Sequence, residues 1–329
     1  LRAASLAKSE KAALTVMEVL DDIPSGKRDV LASGATGEMR DAILRYSEER
    51  LEKLIAPMRD EGIKVSAKVL FGTQFLEIIR EVIRNHHDLV ILSPQRRARL
   101  KEMLFGSRIM HLMRKCPCPV WVVLPSKSKR YARIMAAVDP DSLDDVRNAL
   151  NERIIDLAAS LSQSEKSDLH IIHCWSSYVE RAMRGRGRLM PSNVEKILAD
   201  VKAAHKTELN NLLGKFDLAA LSPKIHLFKG EADKLIVEHA RKKRIDLLVM
   251  GTLCRTGLKG FFIGNTAEKV LHNIGCSVLA LKPEGFVSPV MLENGDSEKR
   301  KGRRKMAHKE PENSTRTAPQ RLIASDAMW

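Results

Sequence analysis

The segment GTLCRTGLKGFFIGNTAEK, Gly251 to Lys269, carries glycines through a loop and into a helix that opens at Gly264-Asn265-Thr266. Glycine lets a backbone approach a ligand closely and take left-handed angles. The first turn of a helix offers N–H groups without intrahelical partners, together with partial positive charge. The combination suits a phosphate. It has a competing use, because Asn265 with Glu268 reads as a capping box that would satisfy the same helix start from within the chain.

Other residue types that could do chemistry have simpler readings beside them. Asp139, Asp141, Asp144 and Asp145 crowd into DPDSLDD and suggest a metal or phosphoacceptor site. Ser142 as an N-cap, with acids in the first helical turn, accounts for most of that pattern, and only Asp139 falls clearly at a strand end. Cys116 and Cys118 in CPCP lack further ligands at zinc spacing and read as a proline-bounded entry to a strand. The ten histidines contain no HExxH pair, so no metal site is expected. His173 either lines a pocket or is a satisfied strand-end histidine. No Walker A sequence, nucleophile elbow or kinase signature appears, and no catalytic residue is assigned. A slow ATPase would need a base to activate water, and none is identifiable. ERAMRGRGRLMP, Glu180 to Pro191, sets Arg181, Arg184, Arg186 and Arg188 in a basic flap that could close over a phosphorylated or acidic ligand. Met183, Leu189 and Met190 add apolar surface suited to a lipid-like ligand, with solvent exposure or protein contact as the plain alternative.

An internal repeat shows what must position these residues. DLVILSPQRRARLKEMLFGSRIMHLMRKCPCPVWVVLP (Asp88 to Pro125) aligns without a gap on DLLVMGTLCRTGLKGFFIGNTAEKVLHNIGCSVLALKP (Asp246 to Pro283). In the second copy, RIMAAV (Arg133 to Val138) reads as a buried parallel strand, and LHIIHC, KIHLF, DLLVM and SVLAL as the strands that follow it. Helical spacing covers Leu143–Leu161, Ser192–Leu213, Ala232–Lys243 and Thr266–Asn273. Alternating strands and helices predict doubly wound parallel sheets with ligands at the carboxyl ends of the strands. Leu1 falls inside the first helix of the first copy, so that copy lacks its N-terminal strand, and roughly two dozen residues are expected to be missing before it.

Composition narrows the partners. The chain has 329 residues, a formal net charge of +15 and 4% aromatic residues. The charge favours nucleotides, nucleic acid, anionic lipid or other phosphorylated molecules. The scarcity of aromatics argues against a stacking platform for single strands, leaving nucleic acid to the tail alone. No stretch is apolar for long enough to span a membrane. Five cysteines do not make a disulfide framework, and a reducing cytosol is the simpler context.

The glycine pattern and layout together resemble the universal stress protein family, whose ATP-binding members carry G-x2-G-x9-G-[S/T] after strand four. Here the pattern reads Gly251, then Cys254 at the second glycine position, then Gly264 followed by Asn265 and Thr266. The resemblance runs from Leu1 to about Phe286, and MRKCPCPVWVV, GNTAEKVL and GFVSPV are similar to its tandem-domain branch. It implies an α/β chain of two tandem doubly wound parallel five-stranded sheets, adenine nucleotide alpha hydrolase-like. It also implies a cytoplasmic stress-response role and the binding of a nucleotide, ATP or AMP, with no settled chemistry. The expected function is a regulator that holds a nucleotide or other phosphorylated ligand in its second domain and acts by binding rather than by turnover. Carried over by position, Asp139 would accept from the adenine or ribose edge, and His173 and Cys174 would line the base. Gly251 and Gly264 would approach the phosphates, while Asn265 and Thr266 would donate to them. Cys254 departs from the pattern, and its Cβ costs roughly 1 kcal/mol or more if the position needs a left-handed backbone; Gly257 nearby relaxes the turn. The first copy has Ser93, Arg96 and Gly106-Ser107 at the matching positions. Pro94 removes a donor there, so that copy reads as a degenerate site in which Arg96, Arg97 and Arg99 form a basic loop.

The expected organisation is a first domain over 1–126, a linker over 127–131, a second domain over 132–287 and a basic disordered tail over 288–329. PVWVVL and SVLALK would be sheet-edge strands that face each other, making the chain an intramolecular pseudo-dimer, with a homodimer as a further arrangement. A function of a different kind, a ligand-free scaffold docking proteins or nucleic acid, fits the basic surfaces as well.

Overall fold

A computed structural model describes residues 2–21, 33–94, 105–126, 128, 130–176, 191–252, 263–292 and 321–325. They fall into two compact units, one made of 1–96, 106–123 and 287–329, the other of 97–105 and 124–286. The basic flap at 177–190, the loop at 253–262 with Cys254 and Gly257, and the arginine loop at 95–104 lie outside the described residues.

In chain order the first unit has α1 (Arg2–Ser9), β1 (Ala13–Leu20), α2 (Ser33–Asp60), β2 (Val65–Phe71), α3 (Gln74–Asn85), β3 (Leu89–Leu92), α4 (Ser107–Lys115) and β4 (Val120–Val122). The second has β5 (Arg133–Val138), α5 (Asp145–Glu165), β6 (Asp168–Trp175), α6 (Pro191–Leu213), β7 (Lys224–Lys229), α7 (Ala232–Lys243), β8 (Leu247–Gly251), α8 (Asn265–Asn273) and β9 (Ser277–Leu281). Its strands lie in the order β7-β6-β5-β8-β9, all parallel. The central strands are continuous apolar runs because helices cover both faces of a parallel sheet. Ile134, Met135 and Ala136 of β5 and Leu247, Leu248 and Val249 of β8 are fully buried.

Helix limits follow from local chemistry. Asp144, rather than Ser142, caps α5, its carboxylate accepting from Arg147 N–H at 2.9 Å. The Ser142 hydroxyl instead donates to Glu208 Oε1 at 3.1 Å. Asp144 wins because its acceptor stands one residue ahead of the first helical turn, where an N-cap must sit. α3 and α7 end on residues in the left-handed region, His86 at φ 52° and Arg244 at φ 51°. Gly230, at φ +144°, turns the chain from β7 into α7, and its counterpart Gly72 does the same at φ +137°. An L side chain would be strained in either place.

The first unit departs from the expected tail. Within 288–329, Arg321–Ser325 forms a strand, β10, inserted between β1 and β3 and parallel to both. The order β2-β1-β10-β3-β4 therefore repeats that of the second unit, with β10 standing where β5 stands. The register agrees as well: Leu322 faces Leu89 as Ile134 faces Leu247. In the first unit the central place between β1 and β3 is filled by Arg321–Ser325, from far along the chain. Leu322 and Ile323 are fully buried there, which is what a central strand of a covered sheet requires.

Candidate functional site at the carboxyl edge of the second unit

β5 pairs with β6 on one side and β8 on the other, so the chain leaves neighbouring strands in opposite directions. Such a switch point opens a crevice beyond the strand ends. A cleft of about 810 Å³ lies there. Asp139 and Pro140 border it from the end of β5, Cys174 and Trp175 from β6, and Lys229 and Gly230 from β7. His205 and Glu208 of α6 form one wall, and Ala232 and Thr266 bring the starts of α7 and α8 to the rim.

Three of the four acids in the cluster share one ion-pair network. Arg147 reaches Asp141 at 2.8 Å, Asp144 at 3.1 Å and Asp139 at 3.7 Å. A guanidinium with several in-plane donors suits three carboxylates, and this explains the cluster without a metal. Asp139 N–H is held by Asn151 Oδ1 at 3.0 Å, which fixes the carboxylate at the cleft edge.

His173 is fully buried beneath that edge. Its Nδ1 lies 3.1 Å from Val138 O, an acceptor only, so Nδ1 carries the proton. Its Nε2 then accepts from His205 Nδ1 at 3.1 Å. Burial pushes the His173 imidazole below its ordinary pKa, against the pull of Asp139. The ring therefore acts as a neutral strut for His205, and His205 stacks on Trp175 with centroids 5.6 Å apart. Burial, with a contribution from Asp139, pushes the Cys174 thiol up to about 12, so it offers no thiolate nucleophile.

Gly251 has a packing reason to be glycine: a Cβ there would come within 2.7 Å of Leu150 Cδ2. α8 is capped by Gly264 at φ −62° and ψ 143°, with no side-chain cap, so Asn265 is the first helical residue and the expected Asn265–Glu268 capping box does not form. Glu268 N–H bonds Gly264 O at 2.9 Å and is the first rung of the ladder, leaving the N–H groups of Asn265, Thr266 and Ala267 ahead of it. Glu268 Oε1 lies 3.8 Å from His272 Nε2, one turn along. The cleft thus gathers Asp139, Cys174 and Thr266 from the sequence assignment and sets His173 and Gly251 behind it. Sequence reasoning missed Arg147, His205, Trp175 and Lys229; the Asp144-to-Arg147 spacing was the one available signal.

A model described as "Universal stress protein family" matches residues 1–123 and 130–282. The chain belongs to the universal stress protein family. Among its relatives is Universal stress protein E of Salmonella typhi, 30% identical over 242 residues, covering 72% of this chain and 74% of the relative. The Haemophilus influenzae homologue of Universal stress protein E is 23% identical over 83% of this chain and 87% of its own. A Pseudomonas aeruginosa PAO1 protein of unknown function shares the fold with a TM-score of 0.62 at 23% identity, over 85% of this chain and 96% of that one. An Archaeoglobus fulgidus universal stress protein does so with a TM-score of 0.55 at 15% identity, over 85% and 92%. Two tandem universal stress protein domains and a stress-response role follow from that membership. No described helix is long and apolar enough to cross a membrane.

Proposed function

We propose that the second domain of this universal stress protein binds an adenine nucleotide in the cleft and signals by binding rather than by turnover. The observation that carries this reading is the cleft itself: about 810 Å³ of space at a sheet switch point, rimmed by two helix starts. That volume lies within the ordinary range for small-molecule sites. On this reading Asp139 accepts from ribose or adenine donors, Trp175 and His205 form an aromatic wall, and the N–H groups of Asn265 and Thr266 at the start of α8 meet the phosphate.

Among the described residues the rim carries Asp139, Asp141, Glu208, Glu231 and Asp233 against Arg147 and Lys229. An excess of carboxylate opposes a bare polyphosphate, so the ligand enters as its complex with a divalent cation, or with few phosphates. AMP, or magnesium-bound ATP, fits that balance. The protein works in the cytoplasm on this reading.

Equilibrium dialysis of the whole chain against ATP, ADP and AMP, with and without magnesium, tests the proposal. Retention with a dissociation constant below about 1 mM supports it. No retention of any of the three, with no phosphorus in the purified protein, would leave the ligand-free interaction scaffold as the function.

A further inference from the structure

On the opposite face of β6 from the His173–His205 pair, three histidines from separate elements converge. His170 lies two residues before Ile172, and Ile172 faces His226 of β7 across the ladder, so His170 and His226 share one sheet face. His239 reaches the same place from α7. One ring nitrogen from each lies within 4.8 Å of the others. His170 Nδ1 and His226 Nε2 are 3.0 Å apart, and the His226 and His239 rings are 4.1 Å apart between centroids.

Packing does not explain the residue types. His170 and His239 are buried at 2% and 7% exposure, yet Nε2 of each has no hydrogen-bond partner among the described residues. Phenylalanine would fill the space without orphaned polar atoms, and buried polar groups in native structures are ordinarily satisfied. A dication taking one lone pair from each ring would give the three converging nitrogens a role that packing does not. Neutral imidazole is a ligand for zinc and its neighbours, at about 2.0–2.1 Å, so tetrahedral angles put such nitrogens roughly 3.3 Å apart. The observed spacings, 3.0 Å for one pair and no more than 4.8 Å for any, bracket that value. Of the cations near the rings, Lys224 is held by Asp168 at 2.7 Å, while Lys243 acts on all three histidines and Lys242 on His239.

We propose that His170, His226 and His239 bind a zinc-type transition-metal dication, with water completing the fourth position beside half-buried His226. The site lies away from the cleft, and it stands or falls independently of nucleotide binding.

The test uses the full chain without an affinity tag, stripped with a chelator and dialysed against zinc. Metal content and competition with a chromophoric chelator give stoichiometry and affinity, and cobalt substitution reports a tetrahedral site through its visible absorption. The expected result is zinc bound at this cluster, weakened more than about 100-fold in His170→Gln and His239→Gln. His226→Gln, at a half-buried position, gives the same loss should the buried variants fail to fold. Cys116→Ala and Cys118→Ala, at the other pair of soft ligands, leave that zinc in place. Absence of retained zinc, affinity unchanged in the histidine variants, or loss of the metal in the cysteine variants would overturn the assignment.

Discussion

Asp88 holds Arg321 by both of its polar ends: the carboxylate accepts the Arg321 backbone N–H at 2.8 Å, and the Asp88 N–H donates to the Arg321 carbonyl at 2.8 Å. The second unit repeats the arrangement, Asp246 accepting from Arg133 N–H at 2.9 Å and donating to its carbonyl at 2.9 Å. Two residues 233 positions apart in the chain thus do what residues 113 apart do in the other copy. The C-terminal strand is a structural part of the first unit, and its loss should be felt there. Ile323→Ala removes a fully buried side chain from a central strand and should cost about 2–5 kcal/mol. A chain ending at residue 320 should lose the cooperative unfolding of that unit. Urea unfolding followed by tryptophan emission in a Trp175→Phe, Trp329→Phe background, which leaves Trp121 of β4 as the reporter, measures both, and an unchanged midpoint would contradict the role of β10.

Gly251 should behave as a packing residue. Gly251→Ala drives a methyl toward Leu150 Cδ2, and the clash should cost about 1–3 kcal/mol. Leu150→Ala in the same chain should remove the clash, so the double variant is less destabilised than the sum of the two singles. Additive costs in chemical denaturation would instead point to backbone strain at Gly251.

Glu81 gives the first unit an acid limit. Burial by itself would raise its carboxyl pKa; His87 at 3.6 Å, Lys68 at 2.5 Å and Asn85 at 2.6 Å outweigh that and lower it to about 2. A carboxyl titrating near 2 when folded and near 4.5 when unfolded stabilises the fold above about 4.5. That stability disappears as the pH falls toward 2, by roughly 3 kcal/mol in all. Glu81→Gln should lower stability at pH 7 and flatten this acid dependence. Urea midpoints of both proteins between about pH 5 and 2 check it, and parallel acid profiles would rule Glu81 out as the titrating group.

Much of the second unit was legible because its signals are local. Arg133–Val138, Ala232–Lys243 and Ser277–Leu281 form the elements that their spacing predicts, with the same limits. β10 was not legible, since five residues after a long polar stretch carry no periodicity worth the name. Its likeness to RIMAAV, an arginine followed by apolar residues, was the available clue. Helix starts misled for a physical reason: several residues near each start can cap, and Asp144 and Gly264 won over Ser142 and Asn265 only through backbone position. The outer members of the His170–His226–His239 cluster stand 69 positions apart, and it becomes a cluster only when β6, β7 and α7 are packed together.

The central claim concerns Asp139, whose carboxylate is one-third exposed at the cleft edge and can be changed without emptying the core. Equilibrium dialysis of AMP and magnesium-ATP against wild type and Asp139→Asn tests it most directly. The account predicts retention by the wild type and about tenfold or greater weakening in the variant, the worth of a hydrogen bond to a charged group. Equal affinity in the two proteins would contradict it.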